Sequence, residues 1–103
     1  VWDTGHAHIA GHVQSEALRQ AGSRLKMLHI HDNEGSLDLH LAPYMGSVDW
    51  ADFLDGLRAV RYDGDINYEQ DLRRIPSDLR APVIRYLKDV GDRFIAALRE
   101  GCI

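Results

Sequence analysis

Histidines and carboxylates are crowded into one stretch of the sequence, residues 28–49. His29 and His31 lie two residues apart in a strand-like run, so their side chains share one face of a strand. Further polar groups follow at once, namely Asp32, Glu34, Asp38 and His40. Burying so many imidazoles and carboxylates in an ordinary core would carry a large solvation cost, which ligation of a divalent metal offsets. The stretch therefore predicts a metal site.

The hydrophobic pattern predicts alternating strands and helices that would position this site. Gly22 is expected to end the first helix, Asp49 to cap the second and Pro82 to open the third. Three strands are predicted: the first ends at residue 2, the second covers residues 24–31 and the third covers residues 65–70. The predicted helices cover residues 12–21, 50–60 and 82–99. A turn over residues 3–6 and a long polar loop over residues 32–46 complete the pattern, which implies parallel strands with right-handed crossovers.

Polar groups recur at the C-terminal ends of these predicted strands. Asp3 and His6 follow the first strand, His29 and His31 lie on the second, and Glu69 lies on the third. In (β/α) barrels the catalytic groups occupy this end of the strands. Two carboxylates and an imidazole from neighbouring strands can converge on one divalent cation, and such mixed ligation suits Mn, Zn or Co better than Ca or Cu(I).

Length and composition exclude several functional classes. The chain has 103 residues and a net charge of −4, which does not provide the basic surface of a nucleic-acid-binding protein. Its single cysteine, Cys102, excludes an internal disulfide or a thiolate metal cluster. No apolar run is long enough to span a membrane and no signal-peptide pattern opens the chain, so we expect a cytoplasmic protein.

Several motifs in combination resemble the xylose-isomerase-like sugar phosphate isomerase/epimerase superfamily, which includes endonuclease IV, inosose dehydratase and the ketose 3-epimerases. The resemblance covers about residues 2–70. It rests on DTGHA, HIHDNEG, Asp-x-His-Leu, Pro-x-x-Gly-Ser-Val-Asp-Trp and YDGDINYEQ. It implies an α/β fold, part of a (β/α)8 TIM barrel with about three parallel strands, each followed by a helix. Because a whole barrel needs about 250 residues, residues 1–103 are expected to form its C-terminal part.

The resemblance implies a mononuclear metal site made of Asp3, His29 and Glu69. His29 fits the family's His-x-polar-acid pattern, although His31 followed by Glu34 fits almost as well, so the ligand assignment can shift by two residues. Glu69 would also be the catalytic acid/base, moving a proton next to a metal-polarised carbonyl. From the residues alone, Glu69 has the alternative of pairing with Arg73 or Arg74.

Other family roles fall on further polar residues. His6 is expected to be catalytic and to contact substrate, or else to bind an additional zinc as in endonuclease IV. Asp38 and His40 match the pair that holds an extra zinc in endonuclease IV-like members, and otherwise form a solvated loop pair. His31 is assigned to substrate contact.

The leading hypothesis is a metal-dependent isomerase or epimerase acting on a sugar or sugar phosphate. The alternatives are an endonuclease IV-like zinc phosphodiester hydrolase and a catalytically silent oligomerising fragment. The last alternative arises because the family's first ligand Glu lies upstream of the Asp-x-x-His motif, where this chain has no residues. Three parallel strands also leave two unpaired edges, so we expect a homo-oligomer formed through strand edges, without nucleic-acid or membrane partners.

Overall fold

Two short parallel strands, four α-helices and two 3-10 helices (Gly22–Arg24 and Ser77–Leu79) make up the regular structure of residues 1–100, the part described by a computed structural model of the chain. The strands are β1 (Trp2–Asp3) and β2 (Leu28–His29). The helices are α1 (Thr4–Ile9), α2 (Gln14–Ala21), α3 (Trp50–Ala59) and α4 (Arg80–Glu100). None of these helices is long and apolar enough to cross a membrane. Cys102, on which the prediction about disulfides and thiolate clusters rests, lies outside the described residues.

The helices begin and end close to the predicted residues, with one addition. Asp49 caps α3 by accepting a hydrogen bond from the Asp52 amide, and Gly22 follows α2 with a φ of 56°. The turn expected over residues 3–6 is instead the start of α1. A helix begins here because the Asp3 carboxylate accepts a hydrogen bond from the His6 amide at 2.8 Å and so caps it.

The strands are much shorter than the sequence predicts. β1 and β2 pair in parallel, with Trp2 opposite Leu28 and Asp3 opposite His29. The predicted third strand, residues 65–70, is reduced to a single parallel bridge between Ile30 and Tyr68. A strand exists only as far as a neighbour pairs with it, and β1 offers only two residues. The α/β prediction is confirmed, whereas the three full strands are not found within residues 1–100.

The hydrophobic core lies between the sheet and the helices α2, α3 and α4. Fully buried Leu18, Phe53 and Phe94 fill it. The helices α2 and α3 approach closely at Gly56, where a Cβ atom would lie only 2.8 Å from Cδ1 of Leu18. The Trp50 ring stacks on Phe94 at a centroid distance of 5.6 Å. This core holds the sheet and the start of α3 in one fixed arrangement.

The Tyr68 hydroxyl donates a hydrogen bond to the Leu87 carbonyl at 2.7 Å. This bond connects residues 65–70, the predicted third strand, to α4. Burial raises the pKa of Tyr68 to about 12, above the usual value of about 10. The stabilisation by the protonated hydroxyl is therefore complete below pH 10 and is lost as the pH rises through the folded-state pKa.

Tyr68→Phe should lower the free energy of unfolding by about 1 kcal/mol at pH 8. It should also flatten the decline in stability between pH 10 and 12, because the variant lacks the hydroxyl that titrates there. Urea unfolding at several pH values measures both effects, with Tyr44→Phe, at a half-exposed position, as the control. Parallel pH curves for the wild type and Tyr68→Phe would contradict this assignment.

Among the described residues, β1 pairs only with β2, so its other edge presents unpaired backbone groups. We propose that the isolated chain self-associates through such edges, because an open edge is a template for pairing with a second copy. Size-exclusion chromatography with light scattering should show dimers or larger species as concentration rises. A monomer across a wide concentration range would count against edge pairing.

Candidate metal centre

The first donor of the site lies where β1 ends. Asp3 closes the strand and caps α1, and the first turn of that helix places His6 above it. Oδ2 of Asp3 lies 3.3 Å from Nδ1 of His6. One carboxylate therefore both fixes the backbone and faces an exposed imidazole.

His29 and Glu69 join Asp3 through strand register. Asp3 lies directly opposite His29, and the Glu69 amide donates to the Ile30 carbonyl at 3.0 Å. Nδ1 of His29 lies 2.9 Å from Oε2 of Glu69. One ligand atom from each of Asp3, His29 and Glu69 lies within 4.8 Å of the others. We call these three residues the sheet-end group.

The loop after β2 brings Asp38 and His40 to the same end of the sheet. Nε2 of His40 lies 3.2 Å from Oδ1 of Asp38, and Nε2 of His6 lies 3.1 Å from Oδ2. The Asp38 carboxylate thus bridges two imidazoles from different elements. Nδ1 of His40 donates to the Glu69 carbonyl at 2.8 Å, so Nε2 is the nitrogen that faces Asp38. His6, Asp38 and His40 are the loop group.

The pKa values of Asp38 and His40 shift in opposite directions. Burial raises the pKa of Asp38, but hydrogen bonds to His6 and His40 outweigh it, and the pKa falls below its ordinary value. Burial lowers the pKa of His40, but its bonds to the Glu69 carbonyl and to Asp38 outweigh it, and the pKa rises. The pair therefore favours a carboxylate beside an imidazolium. A metal ion would have to displace that proton in order to bind His40.

A buried carboxylate, Asp32, holds the loop that carries Asp38 and His40. Its Oδ1 accepts hydrogen bonds from the amides of Asn33 and Val48 at 2.8 and 3.0 Å. Its Oδ2 accepts from the Tyr44 amide at 3.0 Å, the Gly46 amide at 3.1 Å and the Trp50 indole at 2.9 Å. Sequence reasoning counted Asp32 only among the loop's polar groups. It gave no signal that five donors would converge on one side chain.

Backbone pairing and one glycine close this loop. Asp32 and Leu41 exchange two backbone hydrogen bonds, of 2.8 and 2.9 Å, so the chain returns on itself around Asp38. A Cβ atom at Gly46 would lie 2.4 Å from the Asn33 carbonyl oxygen and 2.5 Å from Oδ1 of Asp32. Only glycine fits at this position without displacing the Asp32 carboxylate and the Asn33 carbonyl.

His31 lies between the two groups. It is fully buried, its Nε2 lies 2.7 Å from Oδ1 of Asp3, and its ring stacks on His40 at 4.0 Å. Its Nδ1 is the one buried side-chain polar atom without a hydrogen-bond partner among the described residues. The sequence assigned His31 to substrate contact, and that assignment stays a prediction.

The structure brings together most residues that the sequence selected. All members of the sheet-end and loop groups lie at one end of the sheet. Glu69 pairs with His29 and His40, whereas Arg73 forms a two-pronged pair with Asp71, which holds the pKa of Asp71 below its ordinary range. Glu34 is exposed and belongs to neither group.

The donor chemistry fits a divalent cation. Imidazole nitrogens and carboxylate oxygens alternate in both groups, which is the mixed set that Zn, Mn or Co accepts. His29 and Glu69 keep 41% and 44% of their side chains exposed, so an ion and a substrate can both reach them. Three groups of the described residues have ligand atoms within 4.8 Å of one another and could hold an ion: Asp3 with His6 and His31, His31 with Asp38 and His40, and Asp3 with His29 and Glu69.

A protein-family model described as "Xylose isomerase-like TIM barrel" matches residues 1–90. The chain is 34% identical over 73 residues to an uncharacterized protein, y4fM, of Sinorhizobium fredii, an alignment that covers 71% of this chain and 24% of that protein. It is 31% identical over 94 residues to the uncharacterized protein MJ1311 of Methanocaldococcus jannaschii, covering 89% and 32%.

A third relative carries a named activity. The chain is 36% identical over 62 residues to D-psicose 3-epimerase of Enterocloster bolteae, covering 60% of this chain and 19% of the epimerase. The chain therefore spans at most 32% of the length of these relatives. No solved structure matches it significantly.

Asp32→Asn should destabilise the chain by about 3 kcal/mol, because an amide offers one acceptor oxygen and sets its NH2 group against donors that now face a carboxylate. Urea unfolding measures the loss, and hydrogen exchange should report faster opening at the amides of Tyr44, Gly46 and Val48. Asp63→Asn, at an exposed turn position, is the matched control. Equal stability of the two variants would refute the anchoring role.

Proposed function

The chain belongs to the xylose isomerase-like TIM-barrel family, and on that premise we propose that it carries the metal-binding end of a sugar or sugar-phosphate isomerase or epimerase. Residues 1–103 would supply the C-terminal part of the barrel domain. The 36% identity to a D-psicose 3-epimerase supports a sugar substrate and an epimerase-type proton transfer.

The observation that carries the proposal is the convergence of Asp3, His29 and Glu69 at one end of the sheet, with ligand atoms within 4.8 Å of one another. A divalent cation held there would polarise the oxygens of a bound carbonyl substrate. The Glu69 carboxylate is the acid/base that removes a proton from the carbon next to that carbonyl and returns it.

His6 and a neighbouring cleft would receive the substrate. The His6 side chain is 60% exposed and lies at the rim of the site, where it can donate to a sugar hydroxyl. A cleft of about 540 Å³ lies beside the site, and its lining includes Asp38, His40, Glu69 and Gln70. This volume is in the range of small-molecule sites. Gln70 fixes the floor of the cleft by donating to the carbonyls of Ile30 and Leu41.

Titration of the metal-free chain with Co²⁺ or Mn²⁺ in a calorimeter tests the site directly. The wild type should bind the ion, and Glu69→Gln should bind it at least about tenfold more weakly because a charged ligand oxygen is lost. Glu34→Gln, at an exposed position outside both groups, should behave as the wild type does. A wild-type chain that binds neither ion would refute the proposed site.

The loop group supports a second candidate, an endonuclease IV-like zinc hydrolase. Asp38 bridges His6 and His40, which is an arrangement suited to an additional zinc. The net charge of −4 opposes binding to DNA at physiological salt. The zinc stoichiometry of the full-length protein separates the candidates: one ion favours the isomerase and three favour the hydrolase. Turnover of a ketose by the isolated chain would count against the silent fragment, whereas absence of bound metal would favour it.

A further inference from the structure

Two clefts meet beside the candidate metal centre. The cleft of about 540 Å³ has Glu69 in its lining, and a second cleft, of about 580 Å³, has Arg74 in its lining. Both linings include Asp38, Asp71 and Arg73. The clefts therefore adjoin, and a molecule that contacts Glu69 at one end can contact two arginines at the other.

Arg73 is held in a fixed orientation by Asp71. Its Nε and Nη2 atoms each donate to one oxygen of that carboxylate at 2.9 Å, and its backbone amide donates to Oδ1 at 3.1 Å. A guanidinium has more N–H groups than this pair uses, and those of Nη1 remain free. The side chain is 89% exposed. Arg73 is therefore an oriented donor that an anion in the cleft can reach.

Arg74 supplies a second positive charge at the same place. It is exposed and forms no hydrogen bond or ion pair with another residue in the range 1–100. Bonds next to it hold its backbone, since the Ile75 amide donates to the Leu72 carbonyl at 3.0 Å and the Arg80 guanidinium donates to the Ile75 carbonyl at 2.9 Å. The backbone of Arg74 is thus fixed at the rim of the second cleft.

Residues 71–74 carry a surplus of positive charge. They contain one carboxylate, Asp71, and two guanidinium groups. Hydrogen bonds from Arg73, with a smaller contribution from the charge of Arg74, hold the pKa of Asp71 below its ordinary range. The other acid of this lining, Asp38, pairs with two histidines. Both arginines therefore act on one place, where they would stabilise a bound anion.

We propose that Arg73 and Arg74 form an anion subsite for the phosphoryl group of a sugar phosphate, with the sugar in the adjoining cleft beside Glu69. This subsite rests on the proposed isomerase or epimerase function and defines its substrate as phosphorylated. Charge-assisted hydrogen bonds from guanidinium groups to phosphoryl oxygens are strong and directional. An unphosphorylated sugar has no anionic group for the arginine end, so it binds more weakly.

Calorimetric titration of the metal-free chain with D-ribulose 5-phosphate, D-ribulose and inorganic phosphate tests the subsite. Metal is left out because a phosphoryl group can also bind a metal ion directly. The sugar phosphate should bind at least about tenfold more tightly than D-ribulose, and also more tightly than inorganic phosphate, which makes no contact with the sugar cleft.

Equal affinities for D-ribulose 5-phosphate and D-ribulose, or no binding of the sugar phosphate, would refute the subsite. Equal affinities for the sugar phosphate and inorganic phosphate would refute its assignment to the substrate and indicate free phosphate as the ligand. The proposed function fails on a different measurement, the titration with Co²⁺ or Mn²⁺, because binding at the arginines requires no metal.

Variants locate the binding. Arg73→Gln and Arg74→Gln should each weaken binding of D-ribulose 5-phosphate about tenfold. Arg74→Lys should lose less, because it keeps the charge but not the planar fork. Arg19→Gln removes an exposed arginine of α2 and should bind as the wild type does. Circular dichroism checks that each variant is folded, and wild-type affinity in folded Arg73→Gln or Arg74→Gln would contradict the proposal.

Discussion

The parallel register between β1 and β2 is the constraint on which the rest of the site depends. It sets Asp3 directly opposite His29, and the bonds of Ile30 with the segment at residues 67–69 then bring Glu69 alongside. A slip of one residue would turn every side chain to the other face of the sheet. His29 and His31 would then face the helices, and the apolar neighbours Leu28 and Ile30, which are fully buried in the observed register, would face water.

Register and site also stabilise each other through the core. The same two residues, Leu28 and Ile30, belong to the buried core cluster together with residues of α2, α3 and α4, while His29 and His31 project to the opposite side. Each fully buried leucine or isoleucine side chain contributes about 1.5–3 kcal/mol. Apolar residues and histidines alternate along residues 28–31. The burial of Leu28 and Ile30 that stabilises the fold therefore also directs His29 and His31 to the opposite face.

The loop group depends on a different interaction. One backbone pair, Asp32 with Leu41, closes this loop, and a single buried charge fixes the rest of its path. Asp32 gathers five donors, and the indole of Trp50 connects it to the aromatic stack with Phe94. A buried carboxylate is costly unless its oxygens are satisfied. Four of its five donors are backbone amides of residues 33–48, so the charge and the loop conformation require each other.

The amino-acid sequence by itself determined the features that depend on neighbouring residues. Helices α2, α3 and α4, the cap at Asp49 and the stop at Gly22 follow from local spacing and capping, and so does the placement of polar residues at strand ends. Tertiary structure decided what depends on distant partners. It set the two-residue length of the strands, the buried position of His31 and the convergence of five donors on Asp32. Pairing and burial are created by segments far apart in the chain, and so they leave no local pattern in the residues that they constrain.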